Sequence, residues 1–251
     1  MLSLSHEAAL AGAAVFAGAL NSVAGGGSFV TFPALLFVGV PPISANATSN
    51  AALWAGTIGS ASGYREQIGR YRHLMAAVVG VCLIGALIGA ILLVRTPPAL
   101  FTRLIPFLLL FALLVFLFSP YLKKPTFEAP RRHSPTQLIL QFFVAIYGGY
   151  FGGGMGFLML AILSFSGLPN MNAMNAVKNA LAVVINGVAL IPFVIAGIVE
   201  WPHAIVMAVF AVVGGYFGSR FFQRVPSRYT RAAVLVIGAF MTIVFFVKTF
   251  A

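Results

Sequence analysis

The sequence predicts an all-α polytopic membrane protein built from two homologous halves. Three observations support this fold class. Hydrophobic residues make up 61% of the 251-residue chain, charged residues make up only 8%, and several short motifs occur twice in the same order. A water-soluble domain of this size would not carry so few charges. The apolar segments are continuous rather than alternating, which favours spanning helices over a β-barrel.

Five apolar segments make up the first half, residues 1–120. They cover residues 8–24, 29–40, 45–63, 74–94 and 100–119. The longer ones match the roughly 20 residues that a spanning helix needs. Segment 29–40 is too short to cross a bilayer comfortably and follows the glycines Gly25, Gly26 and Gly27 of "AGGGSF". We therefore predict a helix that is broken at these glycines.

A polar linker, residues 121–136, separates the first half from the second half, residues 137–251. The second half has apolar segments at about 137–151, 155–168, 176–199, 204–222 and 232–247. Segment 155–168 is again short, and it follows the glycines Gly152, Gly153 and Gly154. Each half is therefore predicted to hold a glycine-broken helix pair and about three spanning helices.

The two halves share motifs in the same order. "AGGGSF" at 24–29 matches "FGGGMG" at 151–156, "NATSN" at 46–50 matches "NAVKN" at 175–179, and "GALIG" at 85–89 matches "GGYFG" at 214–218. Several ordered matches are hard to attribute to chance. They predict an internal repeat of about 129 residues.

Basic residues lie in the gaps between apolar segments, where they set membrane orientation. The formal charge of +11 therefore predicts a lipid bilayer as partner and no nucleic acid. Placing the main clusters in the cytoplasm requires the second half to be inverted and both termini to lie outside. Arg95 and Arg103 then fall on the outer side, and four parallel spans per half is the alternative. The clusters are Arg65, Arg70 and Arg72, then Lys123, Lys124, Arg131 and Arg132, then Arg220, Arg224, Arg228 and Arg231.

The glycine breaks point to a shared cavity. Backbone groups at a helix end are costly in lipid unless protein or a water-lined cavity covers them. A glycine-rich break before a new helix also presents N–H groups at the positive end of the helix dipole, which suits an anion. Close helix packing is the alternative explanation for the glycines.

Polar residues follow each break at helical spacing. Asn46, Ser49 and Asn50 share one helix face in the first half. The second half repeats the pattern, and Asn186 extends it by two turns. The repeated residues are Asn175, Lys178 and Asn179. Amides in membrane helices commonly hold helices together, so the asparagines alone do not decide between packing and binding.

Lys178 gives the strongest indication of a ligand. A lysine inside a spanning segment is costly and usually marks a pathway or a partner. No acidic residue lies at a comparable depth, which favours an anionic ligand; snorkelling to the interface is the alternative. The four acids, all at segment ends or in loops, are Glu7, Glu66, Glu128 and Glu200.

The sequence gives little support to other function classes. A cation carrier would usually show a carboxylate in mid-span. A membrane-embedded enzyme needs a nucleophile, base or metal cluster at depth, and the histidines lie near segment ends or in loops without ligand spacing. We therefore predict no catalytic residue, no metal site and no cofactor. The histidines are His6, His73, His133 and His203.

The stretch "FAGALNSVAGGGSFVTFPALLFVGVPPISANATSNAAL", with its second copy around "YGGYFGGGMGFLMLAILSFSGLPNMNAMNAVKNAL", resembles the TauE/SafE family of membrane permeases. The resemblance covers nearly the whole chain. It implies a bacterial inner-membrane transporter that exports sulfite or organosulfonates, with a site at the two glycine breaks and the two polar stripes. Ser49 stands where the second half has Lys178, so the site would have one cationic side.

These observations predict a multi-pass secondary transporter, an exporter, of a small sulfur-containing anion. An importer coupled to protons or sodium, or a transporter of another small organic anion, is the alternative. The expected partners are the small anionic substrate and the bilayer. The sequence leaves the oligomeric state open, a homo-oligomer included.

Overall fold

The structure, a computed structural model, describes residues 4–23, 25–118, 134–221 and 227–250. The described residues form ten α-helices and no strand, which confirms the all-α prediction. The helices are α1 (Leu4–Val23), α2 (Ser28–Phe37), α3 (Pro42–Gly63), α4 (Arg65–Arg95), α5 (Pro98–Phe118), α6 (Pro135–Tyr150), α7 (Met155–Leu163), α8 (Met171–Ile195), α9 (Trp201–Phe221) and α10 (Ser227–Phe250).

Four helical segments in the described part are long and apolar enough to cross a membrane. They are Arg65–Arg95, Pro98–Val115, Met171–Ile195 and Trp201–Phe221. Large apolar side chains point outward from these and neighbouring helices; Phe143 is 61% exposed and Val236 is 68% exposed. Such a surface is compatible with lipid and not with water. The protein is a multi-pass membrane protein, and the choice between eight and ten spans stays a prediction.

Both glycine breaks lie where the sequence predicts them. The first separates α1 from α2, and the second separates α6 from α7. Gly25, Gly152 and Gly154 have positive φ angles of 94°, 73° and 76°, a backbone region that L side chains rarely adopt. The ten residues of α2 span only about 15 Å, half of the hydrocarbon thickness. Both short helices, α2 with ten residues and α7 with nine, are therefore too short to cross the bilayer alone.

Several helices extend beyond their predicted bounds, and α4 does so by the most residues. The apolar pattern placed the start of the fourth segment at residue 74, but α4 begins at Arg65 and is 31 residues long. At about 46 Å it is longer than the bilayer core, so part of it extends beyond the lipid. Likewise α8 begins at Met171, because the side chain of Asn170 caps it by accepting the N–H of Ala173 at 2.9 Å.

Small residues bring the helices of the two halves into close contact. Gly214 and Gly218 of "GGYFG" lie against the α1 backbone at Val15 and Ala19. In the same way, "GALIG" on α4 lies against α6, with Gly89 beside Ile146. Such contacts are typical of helix packing in membranes. Corresponding motifs therefore make corresponding contacts, although the internal repeat itself stays a prediction.

The contacts also define helix directions. Along α1 and α9, Glu7 meets His203 and Ala19 meets Gly218, so these helices are parallel. Along α3 and α9, Thr48 meets Glu200 and residue 63 meets Ser219, so α3 is parallel to them. Along α3 and α8, Asn50 meets Asn186 and Trp54 meets Val183, so α8 runs opposite to α3. An inverted repeat would give these directions.

Basic residues from two of the three predicted cytoplasmic clusters lie together at one end of the molecule. Arg65, at the start of α4, and Arg220, at the end of α9, line the same surface groove. Arg95 lies at the opposite end of α4. The linker cluster and Arg224 lie outside the described residues, as do the side chains of Arg228 and Arg231. The membrane orientation and the division into domains 1–120, 121–136 and 137–251 stay predictions.

Candidate anion-binding cavity

A polar cavity lies where the two broken helices meet. The break between α1 and α2 contributes Asn21, Gly25 and Ser28, and the break between α6 and α7 contributes Phe151, Gly152, Met155 and Gly156. The helices α3 and α8 form the remaining walls. About 20 Å³ is open to the centre of a water molecule, which is room for about one water. The cavity is therefore nearly closed in this structure.

The two glycine breaks touch each other at the cavity. A Cβ atom added to Gly25 would meet the Cα atom of Gly156, and the reverse substitution would meet the Cα atom of Gly25. Such a close approach requires glycine at both positions. Glycine at these two positions therefore serves both close helix packing and the formation of the cavity wall.

The first-half stripe on α3 faces the cavity. Asn46, Ser49 and Asn50 all line it, as does Leu53 one turn further on. Asn46 Nδ2 donates to the Tyr150 carbonyl at 3.1 Å, and the hydroxyls of Ser49 and Thr31 lie 2.6 Å apart. These bonds fix α3 to both broken helices.

The second-half stripe faces the same cavity from α8. Lys178, Asn179 and Asn186 line it, and Asn50 Nδ2 lies 3.4 Å from Asn186 Oδ1 across the gap. The structure therefore brings the two predicted stripes together, although they are separated by more than a hundred residues in the chain.

Lys178 is buried, with 1% of its surface exposed. Its Nζ donates to the carbonyl of Asn21 at 2.8 Å and to the carbonyl of Ser22 at 3.3 Å. Asn179 Nδ2 donates to the same Ser22 carbonyl at 2.9 Å. These carbonyls belong to the last turn of α1, whose acceptors have no partner within the helix. The side chain does not snorkel to the interface, because it ends inside the protein.

Lys178 has partners that the lack of a nearby acid did not predict. The lysine binds backbone carbonyls at a helix C-terminus. Backbone acceptors there carry the negative end of the helix dipole. They stabilise the ammonium without neutralising its unit charge. Among the described residues that line the cavity, Lys178 is the one titratable side chain.

Two amide oxygens of the cavity wall have no hydrogen-bond partner among the described residues. They are Asn50 Oδ1 and Asn179 Oδ1. The NH₂ group of the Asn179 side chain points toward the Ser22 carbonyl. The Oδ1 atom of Asn179 therefore points away from Ser22 and can accept a hydrogen bond. An unpartnered buried acceptor costs about 1–3 kcal/mol, so each of these oxygens is available to a donor or a cation that enters the cavity.

Five predicted site residues lie outside the cavity lining: Asn175, Gly26, Gly27, Gly153 and Gly154. Asn175 is buried one turn before Lys178, and its Oδ1 has no partner among the described residues. Gly27 packs against Asn21 and Leu53, and the carbonyl of Gly153 accepts the Tyr147 hydroxyl at 2.6 Å. For these glycines the structure favours packing and turn formation.

Sequence reasoning missed several wall residues, above all Asn21, Ser28, Met155 and Gly156. Asn21 contributes through its backbone carbonyl, which has no sequence signature. Gly156 closes the motif "FGGGMG", so its position in the matched motif was the available signal. Within the described part of the chain, no group of three or more His, Cys, Asp or Glu side chains is placed to hold a metal ion.

A polar cavity between two broken helices, inside a helical bundle with a lipid-compatible surface, is typical of secondary membrane transporters. The chain belongs to the TauE/SafE family of membrane permeases, since the family model "Sulfite exporter TauE/SafE" matches residues 10–245.

Relatives from three bacteria match over most of their length. The chain is 29% identical to a "Probable membrane transporter protein" of Haemophilus influenzae over 229 residues, covering 89% of this chain and 88% of the relative. It is 27% identical to the "Probable membrane transporter protein YfcA" of Escherichia coli K12, covering 91% and 85%. It is also 27% identical to the "Probable membrane transporter protein ORF9" of a Sinorhizobium species, covering 92% and 88%. No solved structure gives a significant match.

Proposed function

We propose that this protein is a secondary transporter that exports a small sulfur-containing anion, sulfite or an organosulfonate, across the inner membrane of a bacterium. The description of the matching family supports the class of cargo. The relatives' names support transport without naming a cargo.

The buried charge of Lys178 carries the proposal. Its ammonium lies at a cavity wall with 1% exposure, and none of the described acids lines that cavity. Buried charges in proteins are normally paired, and in membrane proteins they mark substrate pathways. A small anion in the cavity would supply the missing negative charge. One lysine neutralises a monoanion, while the corresponding first-half position is the neutral Ser49.

The surrounding amides suit an oxyanion whose charge is spread over several oxygen atoms. An ammonium has three N–H donors, and two of them are directed at the α1 carbonyls. The third is left for a ligand. The amides of Asn50 and Asn186 hold each other only through a long 3.4 Å contact, so either can turn its NH₂ group toward a bound oxyanion.

The small volume of the cavity requires movement during transport. A cavity that holds about one water must widen to admit a sulfonate. The positive-φ glycines of the breaks, at Gly25 and Gly152, are suitable points for such a change. Broken helices that surround a central site and open alternately to either side are a known design of secondary transporters.

The membrane potential favours export. Moving one negative charge out of a cell whose interior is negative gains about 2.3 kcal/mol per 100 mV. An exporter of a monoanion therefore needs no coupling ion. An importer of the same anion would need coupling to protons or sodium to overcome this free energy, which opposes import.

Thermal unfolding of the purified protein tests the cargo. Sulfite, sulfate, thiosulfate, taurine, sulfoacetate and acetate would be compared at matched ionic strength, in wild type, Lys178→Ala and Lys248→Ala. Lys248 is the matched control because it is an exposed lysine at the end of α10. We expect one sulfur anion to raise the melting temperature of wild type and Lys248→Ala but not that of Lys178→Ala. Equal shifts in all three proteins would remove Lys178 from the site.

Flux into or out of proteoliposomes tests the direction. With the selected anion inside and a potassium diffusion potential that makes the interior negative, we expect efflux to accelerate. An efflux rate that does not change with voltage but changes with an imposed proton or sodium gradient would favour the coupled importer instead.

A further inference from the structure

The C-terminal end of α1 already holds a cation in this structure. The Nζ atom of Lys178 lies 2.8 Å from the carbonyl oxygen of Asn21 and 3.3 Å from that of Ser22. Both carbonyls stand at the negative end of the α1 dipole. The lysine comes from α8 in the other half of the chain. An intramolecular ammonium therefore occupies a pocket of backbone oxygens at a helix break.

The two oxygen atoms that hold this ammonium are of the kind that a free metal cation would use. Carbonyl and amide oxygens are the ligands that hard monovalent and divalent cations prefer. Elsewhere on the cavity wall, the Oδ1 atom of Asn179, a side chain with 0% exposure, and the Oδ1 atom of Asn50 have no partner among the described residues. Unwound carbonyls at helix C-terminal ends coordinate sodium in other broken-helix transporters.

We propose that the end of α1 is a monovalent-cation site which Lys178 fills from within the chain, so that anion transport requires no free sodium or other metal cation. The inference rests on the proposed function for its consequence in transport. The cation site itself rests only on the contacts of Lys178 with the carbonyls of Asn21 and Ser22.

The charge balance follows from this arrangement. With a monoanion bound, the ammonium and the anion sum to zero. After release, the empty site keeps one positive charge, which the α1 carbonyls stabilise. The return of the empty site toward a negative interior is then favourable, so the cycle moves one charge and exports the anion along the potential. No other titratable group lines the described cavity to alter this balance.

Removal of the lysine tests the site. Lys178→Ala leaves the oxygens without their cation and leaves space beside them. We expect sodium or methylammonium to raise the melting temperature of this variant by about 3 °C or more relative to N-methylglucamine. Chloride is the anion, at one concentration, in every arm. Wild type and the surface control Lys248→Ala should show no such difference.

Lys178→Met provides the second variant, because its side chain fills most of the same space without a charge. It should fold and gain no cation response. A cation shift of equal size in all the proteins would be a general salt effect and would overturn the proposal, as would the absence of any shift in Lys178→Ala. This titration contains no substrate anion, so its failure is distinguishable from the failure of the transport function.

If Lys178→Ala does not fold, the wild-type protein decides. Replacing all sodium by N-methylglucamine on both sides of proteoliposomes should change the flux of the stabilising anion by less than twofold. A tenfold or larger loss of flux would mean that a free sodium ion is needed and that Lys178 does not replace it.

Discussion

The backbones of Gly25 and Gly156 touch, and this contact joins the two helix breaks at the wall of the cavity. Gly25 follows the end of α1, and Gly156 lies in the first turn of α7. Because neither residue has a side chain, the end of α1 and the start of α7 approach closely. The contact places Asn21 and Ser22 within reach of Lys178 on α8. Local backbone geometry thus determines where the buried charge is held.

Substitution at this contact should be severe. Gly25→Ala combines a positive φ of 94° with a Cβ that meets the Gly156 backbone, so neither strain nor overlap can relax easily. We expect a loss of at least about 2 kcal/mol in the free energy of unfolding and loss of anion binding. The measurement is denaturant unfolding in detergent.

Gly80→Ala is the control for this substitution. Gly80 lies within α4, and a Cβ added there meets no atom within 4 Å. It should be neutral or stabilise the protein by up to about 1 kcal/mol, because alanine is the better helix former. A Gly25→Ala protein as stable as Gly80→Ala would contradict the importance of the contact.

Hydropathy and repeated motifs predict much of this fold. Each apolar segment found in the sequence corresponds to a helix, and each glycine triplet ends one. The largest error occurs where polar residues continue a helix, while α2 and α7 end before the predicted ends at 40 and 168. Residues 65–73 of α4 are mostly polar and carry no proline, so the helix continues through them despite Gly69. The pattern of apolar residues indicates which part of a helix contacts lipid, and it does not indicate how long the helix is.

The sequence was enough to predict most of the polar side chains that line the site, but it was not enough to predict the contacts that they make. Asparagine and lysine at helical spacing identified both polar stripes, because polar residues in the middle of a membrane are costly and usually mark a functional site. The partner of Lys178 is a backbone carbonyl of Asn21, and every residue of the chain has such a group. Only the three-dimensional course of α1 identifies this acceptor. The same holds for the contact between Trp54 Nε1 and the Val183 carbonyl at 3.1 Å.

Asn46 should matter for stability as well as for binding. Its Nδ2 donates to the Tyr150 carbonyl at the end of α6, which joins α3 to the second break. Asn46→Ala removes this bond and leaves a carbonyl at a buried helix end. We expect a loss of about 1 kcal/mol, the usual size for an interhelical hydrogen bond in a membrane protein.

Asn172→Ala is a matched control, since Asn172 lies on α8, is not fully buried and is not part of the cavity wall. Differential unfolding of the two variants measures the contribution of the bond. Equal stability of both would show that the Asn46 contact contributes nothing measurable.

A second contact between the halves lies far from the cavity. His203 Nδ1 lies 2.8 Å from Glu7 Oε1, which connects the starts of α1 and α9. The side chains are 13% and 18% exposed, so the pair is partly screened. A double-mutant cycle with Glu7→Gln and His203→Ala should give a coupling energy of up to about 1 kcal/mol. His73→Ala, on an exposed part of α4, is the control and should show no coupling with Glu7→Gln.

The single cysteine makes the membrane orientation testable. Cys82 is fully buried, so Cys82→Ala gives a background without a reactive thiol. Arg70→Cys and Ala99→Cys then place exposed thiols near the start of α4 and at the start of α5, which lie at opposite ends of the bundle. Lys and Arg concentrate on the cytoplasmic side of membrane proteins, and Arg65 and Arg220 share the end where residue 70 lies.

An impermeant maleimide added to intact spheroplasts should therefore label residue 99 and spare residue 70, and lysis should expose both. Labelling of residue 70 alone before lysis would place the basic end outside and would reverse the assignment of the two faces. Labelling of both before lysis would mean that the long polar start of α4 does not mark a side of the membrane. The expected pattern would fix the start of α1 on the outer side, because α1 is parallel to α9, whose last turn holds Arg220.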